Sequence, residues 1–331
     1  MPLPPIAELL PKLPDLSACL WDLIGQVPAG RVATCGGLAA ALGSPQAAVW
    51  IAHETLHHTH APGCPCHRVV RADGRLGPFA GGAAGDKARL LRQEGVRVSG
   101  GKVDLAACLF AGFVGAPPLA RLREAQADLA RRIVLCPRRR LPRLVGGVDV
   151  AYPAADQGVA AYALVDVASG GLVWSHVLRA AIRFPYISTF LAFRELPILL
   201  ELLAAVRAAG RLADVVLVDG SGVLHQRHAG VAAHLGVVAG RPTIGVAKTL
   251  LCGDVDPTGM APGESRPVVY QGRAVGVALR TTCGSRRPLF ISPGHRADVA
   301  FAERVVRATL AGHRLPEPIY WADRLGKQAQ P

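Results

Sequence analysis

No stretch of this 331-residue chain approaches the ~18 uncharged apolar residues that cross a bilayer, so no membrane role is expected. Its leader is rich in proline and lacks the basic start, apolar core and small-residue cleavage site of a secretory signal. The 8 cysteines are scattered instead of being spaced as a disulfide framework, which fits a reducing, cytoplasmic setting. There is no internal repeat and no long low-complexity tract. Acidic side chains are scarce: 24 Asp and Glu face 37 Lys and Arg, leaving a formal charge of +13. That surplus points to a polyanionic partner such as nucleic acid. Hydrophobic residues make up 50%, enough for sizeable cores, and the length suits about two domains at ~100–200 residues each.

The segment Pro65-Cys66-His67-Arg68-Val69 carries the most chemistry. The thiolate is the reactive form of cysteine, and a neighbouring imidazole and cation can bring its pKa towards neutrality. Upstream, Gly36 to Gly43 reads as a short alanine-rich helix ended by glycine. Ser44 and Pro45 supply an N-cap and a first-turn proline for a second helix starting at Gln46. Helix, turn, helix is the geometry that sets a second helix against a DNA groove. His57, His58 and His60 precede Cys64-Pro65-Cys66, which raises a zinc site. Paired ligands from two hairpins are absent, one proline separates the cysteines, and the histidines crowd a single loop. A polar, basic loop leading into the nucleophile is expected instead, with no cofactor in this half.

Gly115, Pro117 and Pro118 break the chain after an apolar stretch from Leu105 to Phe113, giving expected domains 1–112 and 117–331. Leu119 to Val134 reads as a charged amphipathic helix, and Cys136 to Arg143 as a linker. Beyond it, apolar strands are interrupted or ended by carboxylates. Asp149 lies inside the strand from Leu144 to Tyr152, and Asp219 ends a buried-type strand from Asp214. Glu195 stands in the first turns of a helix from Phe190 to Ala209. Val159–Asp166 and Leu172–Leu178 form a hairpin; Thr243–Ala247, Arg273–Thr281 and Leu289–Ser292 are further strands, before a helix over Ala297–Ala311. The expected fold class is therefore α/β with a mixed sheet in this half. Buried carboxylates need a partner, and oxygen-only donors suit magnesium or manganese. Such a cluster supports metal-assisted phosphodiester hydrolysis.

Two resemblances sharpen this reading. Pro65–Val69, the run Val27-Pro28-Ala29-Gly30-Arg31-Val32-Ala33-Thr34, the loop Gly77-Pro78-Phe79-Ala80-Gly81-Gly82 and Leu90–Gly95 together resemble the O6-alkylguanine-DNA alkyltransferases, over residues 17 to 105. The resemblance implies a small, mainly helical helix-turn-helix domain in which Cys66 accepts the alkyl group, Glu94 orients His67, and His67 holds the thiolate. Arg68 is placed with the DNA-binding residues. Cys35 and Val49 stand where the family has a phosphate-rotating tyrosine and an intercalating arginine, with Trp50 beside Val49 as replacement stacking. His58 replaces an asparagine, and Phe79 replaces the pocket tyrosine. The competing expectation is a lesion-sensing or docking module without transfer activity.

The segments 147–152, 185–195, 216–230, 242–253, 292–296 and 315–323 resemble endonuclease V, over residues 119 to 327. This implies a ribonuclease-H-like fold and magnesium- or manganese-dependent cleavage at the second phosphodiester bond 3′ to deoxyinosine. It assigns Asp149, Glu195 and Asp219 to the metal, His295 to a nearby water or phosphate contact, and Lys248 to the scissile phosphate. Tyr186, within Pro185-Tyr186-Ile187, matches a wedge that fills the gap left by the extruded nucleotide. Gly220 and Gly222 suit close main-chain approach to that base. Ser188 and Gln226 replace usual prolines. The expected partner is double-stranded DNA carrying deaminated or alkylated bases.

Overall fold

The computed structural model describes residues 12–282 and 284–329, which leaves the proline-rich leader outside the described residues. These residues form two compact units, one of 13–124 with 184–188 and one of 125–183 with the rest.

In the N-terminal unit, Asp15 caps helix α1 (Leu16–Gly25) by accepting from the Ala18 N–H, and Leu16, Leu20, Leu23 and Ile24 form its buried stripe. Thr34 caps α2 (Cys35–Ala41) in the same way, at 3.0 Å from the Gly37 nitrogen. Pro45 opens a 3-10 turn over Pro45–Ala47, and α3 (Ala48–His57) follows without a side-chain cap. Helix-turn-helix is thus present, with its second helix starting two residues later than expected. Gly43 makes the turn possible: its φ is +97°, and a Cβ there would lie 2.7 Å from the Ala120 nitrogen. Helix α4 (Ala84–Gln93) is followed by α5 (Leu105–Cys108), and two short strand pairs complete the unit. These are β1 (Ala33–Thr34) with β2 (Val69–Val70), parallel, and β3 (Val98–Ser99) with β4 (Lys102–Val103), antiparallel. Val32, Val70, Leu76, Leu91 and Val103 are among its core.

Helix α6 (Pro118–Arg131) contains the division between the units. The C-terminal unit is built on an eight-stranded mixed sheet. Its strands are β5 (Leu144–Ala154), β6 (Gln157–Asp166), β7 (Leu172–Ala181), β8 (Val216–Asp219), β9 (Thr243–Ala247), β10 (Ser265–Tyr270), β11 (Arg273–Leu279) and β12 (Leu289–His295). The order is β10-β11-β12-β9-β8-β5-β6-β7, with β5, β8 and β9 mutually parallel at the centre and antiparallel pairs on both flanks. Helices α7 (Leu191–Ala208) and α8 (Val231–Ala239) cover the face that carries Val148, Val150, Tyr162 and Val218. Helices α9 (Val299–Ala308) and α10 (Glu317–Gln328) cover the other, against Val145, Leu217, Ile244 and Ile291. Alternation along β5 decides which side chain meets which helix. Gly147 lies under α10 so closely that a Cβ would sit 2.2 Å from the Pro318 carbonyl carbon. Asp149, two residues on, shares that face. No helix among the described residues is long and apolar enough to cross a membrane.

Candidate functional site

Sheet register assembles the first site. Val148 pairs with Val218 across the parallel β5–β8 ladder, so Asp149 and Asp219 stand level on neighbouring central strands. Asp323 reaches them from α10. One carboxylate oxygen of each of Asp149, Asp219 and Asp323 lies within 4.8 Å of the others. Lys248, just past β9, places its ammonium 2.5 Å from Asp219 Oδ2 and 3.9 Å from Asp323 Oδ1. Burial pushes Asp149 up to about 7, helped by the charge of Asp219 and opposed by Lys248. Burial alone would lower Lys248, yet the three aspartates hold its pKa above the usual value.

Glu195 lies on α7, which packs on the opposite face of β5, and it is not one of this trio. It is buried, pushed up to about 8 chiefly by desolvation, and feels Asp149 and Asp219 electrostatically. Tyr152, on the α7 face of β5, donates to its Oε1 at 2.8 Å, and Arg194 lies 4.4 Å over the Tyr152 ring. Asp323 carried no expected role, although it ends one of the segments that resemble endonuclease V. Its flanking prolines and polar composition hid the helix that delivers it.

The all-oxygen donor set fits a hard divalent cation, and the Lys248 ammonium shows that the pocket accommodates positive charge. His295 sits apart. Its Nδ1 accepts from the Val134 N–H at 3.2 Å, it is buried, and burial with Arg296 and Arg132 lowers its pKa. Tyr186 is 65% exposed. Thr189, three residues on, holds a left-handed φ of 69° and accepts at its carbonyl from Gln126, His225 and Arg227.

Gly220 and Gly222 were expected to face an extruded base, but both N–H groups are used internally. Gly220 donates to the Val246 carbonyl at 3.1 Å, and Gly222 to Ser292 Oγ at 2.9 Å. A Cβ at Gly222 would lie 2.1 Å from the Pro293 carbonyl oxygen, so that glycine serves strand packing.

The second site surrounds Cys66, which is 3% exposed in the 3-10 turn Pro65–Arg68. It lines a pocket of about 170 Å³ with Cys35, Phe79, Leu76 and Lys87. Glu94 does bind His67, at 2.8 Å from Nε2, but the other ring nitrogen faces the Cys64 carbonyl at 3.2 Å. The direct His67–Cys66 contact expected from sequence is therefore replaced: Cys66 Sγ lies 3.4 Å from His60 Nδ1. Arg68, expected at DNA, spends its guanidinium on both Glu94 oxygens and on the Val27 carbonyl. Burial would raise the Glu94 carboxyl, but the bonds from Arg68 and His67 bring it below the usual range. Desolvation and the Cys64 neighbour push the Cys66 thiol up to about 12, against the pull of Lys87, so the bare site does not lower it. Lys87 itself is buried, donating to the Val69, Leu76 and Pro78 carbonyls, with its pKa lowered to about 8 by burial. On α3, Val49 is 82% exposed while Trp50 is 8% exposed, so Trp50 is core and not a stacking ring.

Residues 127–324 match the sequence profile of endonuclease V, and residues 15–96 that of the 6-O-methylguanine DNA methyltransferase DNA-binding domain. A protein of Picrophilus torridus named a bifunctional methyltransferase/endonuclease is 33% identical over 73% of this chain and 77% of its own length. Endonuclease V of Azotobacter vinelandii is 42% identical over 66% of this chain and 97% of its own. The crystal structure of the human endonuclease V catalytic domain aligns with a TM-score of 0.60 and 33% identity, over 65% of this chain and 96% of that one. That of Streptomyces avermitilis endonuclease V gives 0.56 and 36%, over 66% and 95%.

Proposed function

Since this chain belongs to the endonuclease V family, a family of metal-dependent nucleases, and carries a methyltransferase DNA-binding domain ahead of it, we propose that it is a bifunctional DNA-repair protein. Its C-terminal half nicks DNA at the second phosphodiester bond 3′ to deoxyinosine, and its N-terminal half takes alkyl groups from O6-alkylguanine onto Cys66. It works in the cytoplasm, where reduced thiols fit the free cysteines at 35, 64, 66 and 108.

The observation that carries the nuclease reading is the convergence of Asp149, Asp219 and Asp323 beside Lys248. Magnesium or manganese held by these carboxylates, with Glu195 nearby, would activate water and neutralise the leaving oxygen. Lys248, paired with Asp219 and Asp323, is placed to bind the scissile phosphate beside the carboxylates that would hold the ion. Tyr152 keeps the Glu195 carboxylate from turning away. Tyr186 offers an exposed ring to stack where the damaged nucleotide has left.

The acceptor reading rests on Cys66 lining a pocket with Phe79. The docking-module reading keeps one observation in its favour, the apolar Val49 exposed where an intercalating arginine would stand.

A duplex with one deoxyinosine, incubated with full-length protein with and without Mg²⁺, tests the nuclease. Nicking should require the ion. Asp149→Ala, Asp219→Ala and Asp323→Ala should each lower the rate by roughly a thousandfold, if the ion supplies about 4 kcal/mol, with duplex binding retained on the basic surface. Full-rate cleavage by any of the three refutes that ligand's assignment.

A further inference from the structure

The loop that leads into Cys66 gathers four candidate metal ligands. His58, His60, Cys64 and Cys66 bring one ligand atom each to within 4.8 Å of all the others. His58 Nε2 lies 3.4 Å from Cys64 Sγ, and His60 Nδ1 lies 3.4 Å from Cys66 Sγ. Tetrahedral zinc with bonds of about 2.05 Å to nitrogen and 2.3 Å to sulfur sets such atoms about 3.5 Å apart. Two independent thiol–imidazole hydrogen bonds would not need the pairs to converge on one point. Here they do.

Local geometry explains how so short a segment manages it. Ala61-Pro62-Gly63-Cys64 closes a tight turn, with the Cys64 N–H donating to the Ala61 carbonyl at 3.1 Å and Gly63 at a φ of 81°. Proline then glycine at the two central positions is the type II pattern. The turn folds the cysteine arm back onto the histidine arm, so ligands absent from paired hairpins come from two arms of one loop. The Trp21 ring packs on His58 with centroids 4.5 Å apart, and Phe79 meets His60 edge-on at 5.3 Å. Gly81 leaves room for that ring: a Cβ there would lie 2.4 Å from His60 Nε2.

We propose that His58, His60, Cys64 and Cys66 form a Cys2His2 zinc site in which the alkyl-accepting cysteine is itself a ligand. Two thiolates and two imidazoles select zinc over the hard cations that suit the aspartates. The site also answers the question left by His67: a bound cation deprotonates a coordinating thiol outright, so the nucleophile is held as thiolate without a base against it.

This further step rests on the acceptor reading. The sulfur electron pair forms a bond to the alkyl carbon, the carbon–O6 bond breaks towards the base, and the guanine takes up one proton from water. The product is a neutral thioether, a weaker ligand than the thiolate it replaces. Transfer would therefore loosen the metal and couple repair to a change in the loop that leads out of α3.

Cobalt is the probe. Metal-stripped full-length protein titrated with Co²⁺ should develop the visible bands of tetrahedral cobalt together with thiolate-to-cobalt charge transfer. His60→Ala, at an exposed position that the core does not need, and Cys64→Ser should each weaken cobalt binding at least tenfold. Asp149→Ala should leave the spectrum unchanged, which separates this site from the carboxylates. Absence of tetrahedral bands in the parent protein, or binding by both loop variants as tight as the parent's, overturns the site. The cobalt-loaded protein is then treated with O6-benzylguanine and weighed intact. A benzyl adduct with a changed cobalt spectrum supports Cys66 as ligand, and an adduct with an unchanged spectrum excludes it. No adduct, with the bands intact, sinks the acceptor reading and leaves the zinc site standing.

Discussion

His234 is enclosed on α8 with neither ring nitrogen bonded to any partner, its ring edge-on to Phe193 at 5.3 Å. Burial, with the charges of His225 and Arg227, lowers its pKa to about 3, and His225 falls to about 4 for the same main reason. Both are neutral in folded and unfolded chains above about pH 6.5. Below that the unfolded chain takes up protons that the folded one refuses until about pH 4 and 3. Their stabilisation is thus full above pH 6.5 and is lost as pH falls, at up to about 1.4 kcal/mol per pH unit for each histidine. His234→Leu, which removes no hydrogen bond, should lose markedly less Tm than the parent between pH 7 and pH 5. Equal losses in calorimetry would show that this histidine is not the acid-sensitive group. Nothing in the sequence marked it, because an isolated histidine in an apolar helix reads the same whether or not it has a partner.

Helix α3 shows how an element can be legible while its orientation is not. The Ser44-Pro45 signal announced a second helix, and one is there, but sequence spacing could not say which of Val49 and Trp50 faces out. Burial decides it: Trp50 is core and Val49 is 82% exposed. Trp50→Ala should therefore act on stability, by about 3–5 kcal/mol, as other buried aromatics do. Val49→Arg should act on recognition, since a side chain able to fill the vacated stack offsets a flipping cost of a few kcal/mol. Alkyl transfer from duplex O6-methylguanine should rise by about tenfold or more, with the reaction of free O6-benzylguanine unchanged. An equal change in both reactions would mean that position 49 does not serve base flipping. Elsewhere, β9 is legible residue for residue, and β5 to β8 within a few residues at each end, because their apolar runs are long. Strand β10 is not legible, since Arg266 and Pro267 spoil its pattern, and proline is tolerated there because β10 is an edge. Pro316 and Pro318 hide helix α10 in the sequence, and Asp323 with it. The convergence of His58, His60, Cys64 and Cys66 is not legible from ligand spacing, because a type II turn brings together in one loop what that spacing normally draws from two hairpins.

At the scale of the molecule, each cluster lies within one unit, the Cys66 loop in one and the three aspartates with Lys248 in the other, while Tyr186 groups with the first. We propose that the two halves are catalytically separable. A fragment of residues 117–331, which keeps the whole of α6, should nick deoxyinosine DNA within about tenfold of the full chain. A soluble fragment slower than that by several orders of magnitude would show that the nuclease depends on the first half for more than affinity.

The ladder that sets Asp149 level with Asp219 has a consequence in time. The three carboxylates of that cluster come from β5, β8 and α10, so no shorter nascent chain contains them all. At about 5–20 residues per second, Asp323 is added on the order of ten to thirty seconds after Asp149. The four residues of the Cys66 loop, by contrast, leave the ribosome almost together. During synthesis the proposed zinc ligands are thus all present well before the carboxylate cluster is, and a chain released short of α10 lacks Asp323.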